Sequence, residues 1–566
     1  MSLACGYATS SRVIILLAAL LLAVFLGPAE ASADAVAETG PVAADSTANV
    51  PGQDALLAYR RYLPDQREPT LQANDCLFCW RETNNRDLVR LALLTSGETM
   101  PPGGPENTGN TGNTGAWSTD TFSWETRVDK SYLIPAIETP LAVIGLNVFD
   151  RLAFPDKIKE GRKAYSTNLS TTWEHLREQN WHFDKDSFEV NQVGHPYEGA
   201  TMYGLARSSG LNFWQSLAYA HAGSFLWEMA GETSRPSTND IITTGNAGSF
   251  LGEALFRMAG LVLEDGGDNP PGRNELAAAV LSPPTALNRF VFGDRFKAAF
   301  PSHKPVTLWQ LKAGGEFDVH STDSDLEDSS KDANLIANFS MAYGLPGKPG
   351  YTYRRPFDYF DFQFALRSKI KNPLESITLR GLLVGTDYQL GNDYRGIWGL
   401  YGSYDYIYPS RFRVSSTALS LGSTAQYWVA PGVALQGTML GGVGFGTAGT
   451  DTEVTDVTGF HYDAIPQALI ALSMLFGDRT MVDFTGRGYY SDGSRIDQLL
   501  LRGDAGLTVR LWGNHGVGIR YAESLRDIKG NDPLRNVREG TVSVVYTFLS
   551  DTHFGAVTWG DAGNRL

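Results

Sequence analysis

Cysteine is nearly absent, with three residues among 566, so no disulfide scaffold can carry this fold. Charge is sparse at 19% of residues and leans acidic, with 47 Lys and Arg against 62 Asp and Glu for a net charge of −15. No basic run exceeds a dipeptide, which argues against nucleic acid as the main partner. Beyond the first 33 residues no stretch approaches 18 uninterrupted apolar residues, so the sequence reads out no further transmembrane helix. No Gly-x-Ser-x-Gly elbow occurs, and Ser216, Ser224 and Ser249 have no distinguishing context as nucleophiles. What is abundant is glycine, at 60 residues, with 24 tyrosines and 28 phenylalanines, a composition compatible with a β-rich envelope protein.

The amino terminus names a compartment. Arg12 precedes the apolar run Val13–Leu26, the small-residue motif Ala31-Ser32-Ala33 follows, and then Asp34. That order is a secretory signal peptide over 1–33, with cleavage expected after Ala33; the alternative is an uncleaved anchor. Cys5 lies before the apolar run, so no lipoprotein is expected. Residues 34–129 read as a tail and a low-complexity linker with three Asn-Thr-Gly triplets in 101–115. Within it, Cys76 and Cys79 can form a local disulfide in an exported protein, and a redox or metal role is the sharper alternative. Zinc normally takes four ligands, and the mature chain offers no other cysteine.

Two periods divide the remainder. Residues 130–293 are helical: an amphipathic, proline-interrupted helix over Ser131–Arg151, an apolar stretch with Gly, Ala and Ser over 203–230, and a capped helix from Pro236-Ser237-Thr238 through Asp240 towards Arg257. From about Val306 the period becomes two, as where Phe360, Phe362, Phe364 and Leu366 alternate with Asp361, Gln363, Ala365 and Arg367. One apolar and one polar face over segments of about ten residues is the pattern of a transmembrane β-barrel. Only helices and closed barrels satisfy every backbone group in lipid. The expected fold class is therefore α+β, an N-terminal helical domain followed over 294–566 by an antiparallel transmembrane β-barrel of about 12 strands. A soluble β-sandwich is the rival, and it needs a second sheet to cover the apolar faces.

Connections carry a second signal. Gly391-Asn-Asp, Ala430-Pro-Gly, Gly477-Asp and Gly513-Asn are short and fall at alternate connections, while 321–332, 447–458 and 525–537 are longer. Short periplasmic turns and long outer loops fit that alternation, with Tyr388, Trp428, Phe476, Trp512 and Phe548 expected as an aromatic girdle. The length of 344–355 and the brevity near 371 and 409 fit it poorly.

A set of motifs in the helical part is specific through its many fixed spacings. It comprises Asn191-Gln-Val-Gly-His195-Pro-Tyr197-Glu-Gly199, Tyr203-Gly-Leu-Ala-Arg207, Asn212-Phe-Trp214, Gly223-Ser-Phe-Leu-Trp-Glu228, Gly231-Glu232, Pro236-Ser-Thr-Asn-Asp240 and Gly252-Glu253. This stretch, from near Lys130 to Asn288-Arg289, resembles domain-of-unknown-function family 3943 of exported bacterial envelope proteins. The resemblance implies a helical domain ahead of an outer-membrane barrel in Gram-negative cells, and it brings no established activity. A weaker similarity links Glu228, Pro236-Ser-x-x-Asp240, Gly248 and Gly252 to the membrane-associated helices of VanZ-like proteins.

The chemistry candidates are His195, Glu228, Glu232, Asp240 and Glu253, with Arg207 and Arg257 as binding residues or counter-charges. Partial burial moves histidine and carboxylate pKa values towards neutrality, so a convergent set can do acid/base work. One histidine with scattered carboxylates selects no particular metal, and neither a metal nor a cofactor is expected. The bland reading is that these groups cap helices and satisfy each other. The acidic loop Asp323–Asp328 lacks the regular calcium-loop spacing. In the barrel, Arg367, Arg380, Asp483, Arg487, Arg502, Asp504, Arg510 and Arg520 are expected to face the lumen. The function expected is an integral outer-membrane protein with a periplasmic or lumen-inserted helical domain, acting in envelope structure, transport or lipid handling. The alternative is a lipid- or lipopolysaccharide-acting hydrolase using His195 and its carboxylates. Expected partners are outer-membrane lipid, lipopolysaccharide and the barrel-assembly machinery, with the oligomeric state open.

Overall fold

The computed structural model describes residues 129–559, apart from 179, 185, 268, 322–332, 369–372, 410–411, 451–459, 493–496 and 530–535, and these described residues belong to one compact unit. The expected signal peptide, the Cys76–Cys79 pair, the triplet linker and the acidic loop lie outside them.

The helical part opens with α1 (Leu133–Ala153). Its Pro140 does not interrupt it, contrary to the proline-broken reading, and α1 is long and apolar enough to cross a membrane. A two-residue hairpin, β1 (Ile158–Lys159) and β2 (Arg162–Lys163), and α2 (Leu169–Glu178) follow. A π-helical turn (Val190–Gly194) then runs into α3 (His195–Ser208), and Asn212 with Gln215 forms a capping box at the start of α4 (Phe213–Ala230). Ser237 caps α5 (Thr238–Ile242), and a second π-helical turn (Thr243–Ala247) joins it to α6 (Gly248–Asp265). The helices α7 (Gly272–Leu281), α8 (Pro283–Phe292) and α9 (Asp294–Lys297) complete this part.

The strands that follow are β3 (Thr307–Ser321), β4 (Ala333–Tyr343), β5 (Phe360–Arg367), β6 (Leu374–Leu390), β7 (Tyr394–Ile407) and β8 (Phe412–Ala430). They continue with β9 (Val433–Thr450), β10 (Phe460–Phe476), β11 (Thr480–Asp492), β12 (Asp497–Trp512), β13 (His515–Lys529) and β14 (Asn536–Leu549). Each pairs antiparallel with its sequence neighbours, and β14 pairs with β3, so the sheet closes into a barrel. The alternate short turns place Gly391, Gly432, Gly477 and Gly513 at φ 61°, 72°, 58° and 49°, a region glycine enters without steric cost.

Contacts between non-adjacent strands fix which face is the lumen. Arg502 of β12 reaches Glu375 of β6 at 2.7 Å, Tyr489 of β11 donates to Asp405 of β7 at 2.8 Å, and Gln467 of β10 donates to Ser403 of β7 at 3.2 Å. At the short-turn end the lumen is closed by the chain itself. Tyr351, Tyr353 and Tyr359 from 344–359, with Phe554, Val557 and Trp559 from the tail, join inward residues such as Leu308, Tyr401 and Trp428 in one apolar cluster. That use of 344–359 explains its unexpected length. It also corrects the girdle: Trp428 points inward and donates to the Val557 carbonyl at 3.1 Å, while Tyr427 faces outward.

The helices meet the opposite face of the wall. On β7, Gly402 lies under the Phe250 ring, Tyr404 donates to the Gln192 carbonyl, and Tyr406 packs on Phe188 at 5.3 Å. On β5 and β6, Phe360, Phe362, Ile377 and Leu379 share an apolar cluster with Phe213, Phe250 and Leu251. All are outward positions, alternate to the lumen residues Asp361, Thr378, Arg380, Ser403 and Asp405. The described helices therefore pack against the outward face of β5–β7, while side chains from facing strands meet one another across the interior.

Candidate functional site

Glycine makes the helical centre possible. A Cβ on Gly199 of α3 would lie 1.8 Å from the Thr244 carbonyl oxygen, and one on Gly248 would lie 2.6 Å from the Gly199 Cα. Backbones in such contact bring the start of α3 against the α5–α6 junction, which is where the ionisable groups meet.

His195, at the first position of α3, is buried, with Nε2 3.6 Å from Asp240 Oδ2 and Nδ1 3.4 Å from Glu198 Oε2. Asp240 accepts from the Asn239 amide at 2.8 Å, and the Ser237 hydroxyl accepts from the Asp240 amide at 3.2 Å. Glu228 accepts from the Ser237 amide at 2.6 Å, so it joins the group through the α5 cap. Three side-chain amides, those of Asn191, Gln192 and Asn239, converge on the Tyr462 phenol oxygen at 3.1, 3.0 and 3.1 Å. Tyr462 belongs to β10, so the barrel wall closes one side of the centre.

The arrangement brings one histidine within 3.6 Å of Asp240 and 3.4 Å of Glu198. Its buried groups cannot touch a substrate without a rearrangement.

The remaining candidates separate. Glu232 lies past the end of α4, not on one helical face with Glu228, and pairs with Lys159 of β1 at 2.6 Å. Lys159 also meets Asp186 at 2.7 Å and Asp184 at 3.5 Å. Glu253 does not join His195. Fully buried, it accepts from Tyr203 at 2.6 Å, Arg207 at 2.8 Å and Arg257 at 2.7 Å. The two arginines are thus its counter-charges, and Arg257 continues to Asp358 at 3.4 Å and the Pro356 carbonyl at 2.7 Å. Among the described residues no group of three or more His, Cys, Asp and Glu side chains is arranged to hold a metal ion.

Sequence reasoning passed over Glu198, Asn191, Gln192, Asn239, Tyr462 and Lys159 as site members. Glu198 carried a signal, standing three residues after His195 where a helix brings side chains together. Tyr462 carried none, being 270 residues from Gln192.

In the lumen, Asp504 gathers Arg487 at 3.4 Å, Arg502 at 3.5 Å and Arg520. Arg367 pairs with Glu316 at 2.5 Å, Asp318 at 3.2 Å and Glu539 at 3.4 Å, and Arg380 lies 3.8 Å from Asp361. Asp483 is half-buried beside Gly506, and Arg510 pairs with Asp478 at the turn. A void of about 20 Å³ lined by Arg380, Asp405, Gln467 and Arg487 has room for about one water molecule.

These features define a closed antiparallel β-barrel of the outer-membrane type with a helical unit on its wall. Residues 180–284 match the family described as "Domain of unknown function (DUF3943)", and every helical candidate from His195 to Arg257 lies in that segment. Comparison with curated proteins finds no match. Similar solved structures include the NanC porin, 8% identical over 42% of this chain and 98% of that chain, with a TM-score of 0.24. Others are the translocator domain of autotransporter NalP from Neisseria meningitidis, 15% identical over 42% and 87% with a TM-score of 0.19, and an anion-selective porin from Comamonas acidovorans, 9% identical over 43% and 99% with a TM-score of 0.19. The fold assignment rests on the closed ladder itself.

Proposed function

We propose that this protein is exported to the outer membrane, where its barrel is a sealed scaffold that holds the helical unit against its outer wall. Its role is then in envelope structure or lipid handling, not in passage of solutes. The filled lumen carries this reading: arginine–carboxylate pairs cross the loop half, and aromatic side chains close the turn end. Outward residues support a lipid-facing wall, since Trp398, Leu421, Met439, Val482, Ile519 and Val544 are all exposed and apolar. The short turns then face the periplasm, acyl chains and lipopolysaccharide surround the wall, and the barrel-assembly machinery inserts it. Single-channel recording of the full chain in planar bilayers tests this. Absence of stable conductance is expected, and a large steady conductance would overturn it.

A further inference from the structure

Two helices of this unit are turned inside out for water. Along α1 the buried positions are Pro135, Thr139, Val143 and Asn147, while the larger apolar residues Ile137, Leu141, Ile144, Val148 and Leu152 are exposed. Asn147 spends its amide inward on the carbonyls of Tyr165 at 3.0 Å and Gly231 at 2.6 Å. On α8 the inversion repeats: Thr285, Asn288 and Arg289 are buried, whereas Leu287, Val291 and the 89% exposed Phe290 face out. Asn288 binds the Leu205 carbonyl at 3.1 Å and Ser208 at 2.8 Å, and it meets Glu138 of α1 at 3.4 Å, so the two helices are neighbours with adjoining outer surfaces. A helix solvated by water buries its apolar side and exposes its polar side. Both helices instead bury polar side chains and turn their largest apolar ones outward.

We propose that the outer faces of α1 and α8 are solvated by the acyl chains of the bilayer that surrounds the barrel, making the helical unit an intramembrane body and not a periplasmic one. Three observations carry this together. The polarity is inverted on two helices of separate sequence. The 21 residues of α1 extend about 31 Å, which matches a hydrocarbon core about 30 Å thick. The unit is mounted on the outward barrel face, the only face that meets lipid, through an apolar cluster continuous from Phe362 and Leu379 to Leu251 and Leu263. The buried centre turns its polar groups towards the protein and not the lipid, with Asp240 held by the Asn239 side chain at 2.8 Å.

The inference rests on the barrel reading, and its test separates the two. The full chain, with its cysteines replaced by serine, is labelled with an environment-sensitive fluorophore at Ile144→Cys, Phe290→Cys or, on the outward face of β13, Ile519→Cys. Each protein is reconstituted into phosphatidylcholine vesicles and quenched either by bromine on the acyl chains or by aqueous iodide. Strong bromolipid quenching and weak iodide quenching at all three positions are expected. Iodide quenching at 144 and 290 with bromolipid quenching at 519 would overturn the lipid placement and leave the barrel reading standing. Protection from both quenchers at 144 and 290 would overturn it in favour of a protein partner on that face. Iodide quenching at 519 would overturn the barrel reading itself.

Discussion

Glu253→Ala removes the carboxylate that holds two buried guanidinium groups. The side chain is fully buried and accepts bonds of 2.6 to 3.1 Å from Tyr203, Arg207 and Arg257, tying α3 to α6. Breaking a buried pair by deleting one partner costs about 3–5 kcal/mol, because the other charge stays buried. Part is recovered, since Arg257 keeps Asp358 and the Pro356 carbonyl, and Arg207 keeps the Leu211 carbonyl at 3.0 Å and the rings of Phe256 and Phe300. The lower end, about 3 kcal/mol, is therefore expected, or roughly a hundredfold in the opening equilibrium of the helical unit. Amide hydrogen exchange of α3 and α6 in the reconstituted protein reads it, with barrel strands as internal reference. Exchanging the whole set for apolar residues (Glu253→Leu with Arg207→Met and Arg257→Met) should restore most of the protection. A loss below about tenfold, or about 1.4 kcal/mol, for Glu253→Ala would refute the reasoning.

Gly199→Ala should splay α3 from the α5–α6 junction and cost about 1–3 kcal/mol, whereas Gly260→Ala, where an added Cβ meets nothing within 4 Å, should stabilise; thermal midpoints of the helical unit distinguish them. Asp504→Asn removes the carboxylate shared by Arg487, Arg502 and Arg520, of which Arg502 keeps Glu375, and should lower the temperature at which the barrel loses its compact gel migration, while Arg510→Gln, at the turn, should lower it less.

The barrel was legible because a period of two survives wherever one face is apolar and the other polar. Its strands begin and end within a few residues of where the alternation does. The same signal concealed the helical unit's position, since an outward Phe362 or Leu379 is apolar whether lipid or a helix covers it. Hydroxyl-bearing outward residues, such as Tyr404, Ser415, Thr417 and Tyr462, were the missed sign that part of the wall meets protein. In the centre, His195 and Asp240 could be named because an apolar, glycine-rich stretch offered few places to hide a charge. Glu232 and Glu253 were grouped with them on spacing alone, although Lys159 and the two arginines compete for those carboxylates.

The central claim, that the helical unit packs on the outer wall of a filled barrel, is tested most directly by a photo-reactive benzophenone side chain at Phe250. That ring faces Gly402 and lies 6.1 Å from the Phe357 ring. Mass spectrometry of the irradiated full chain should locate adducts at Gly402, Phe357 and neighbouring outward positions of β5–β7. Adducts at the inward residues Ser403 or Asp405, or none on the barrel, would contradict the account.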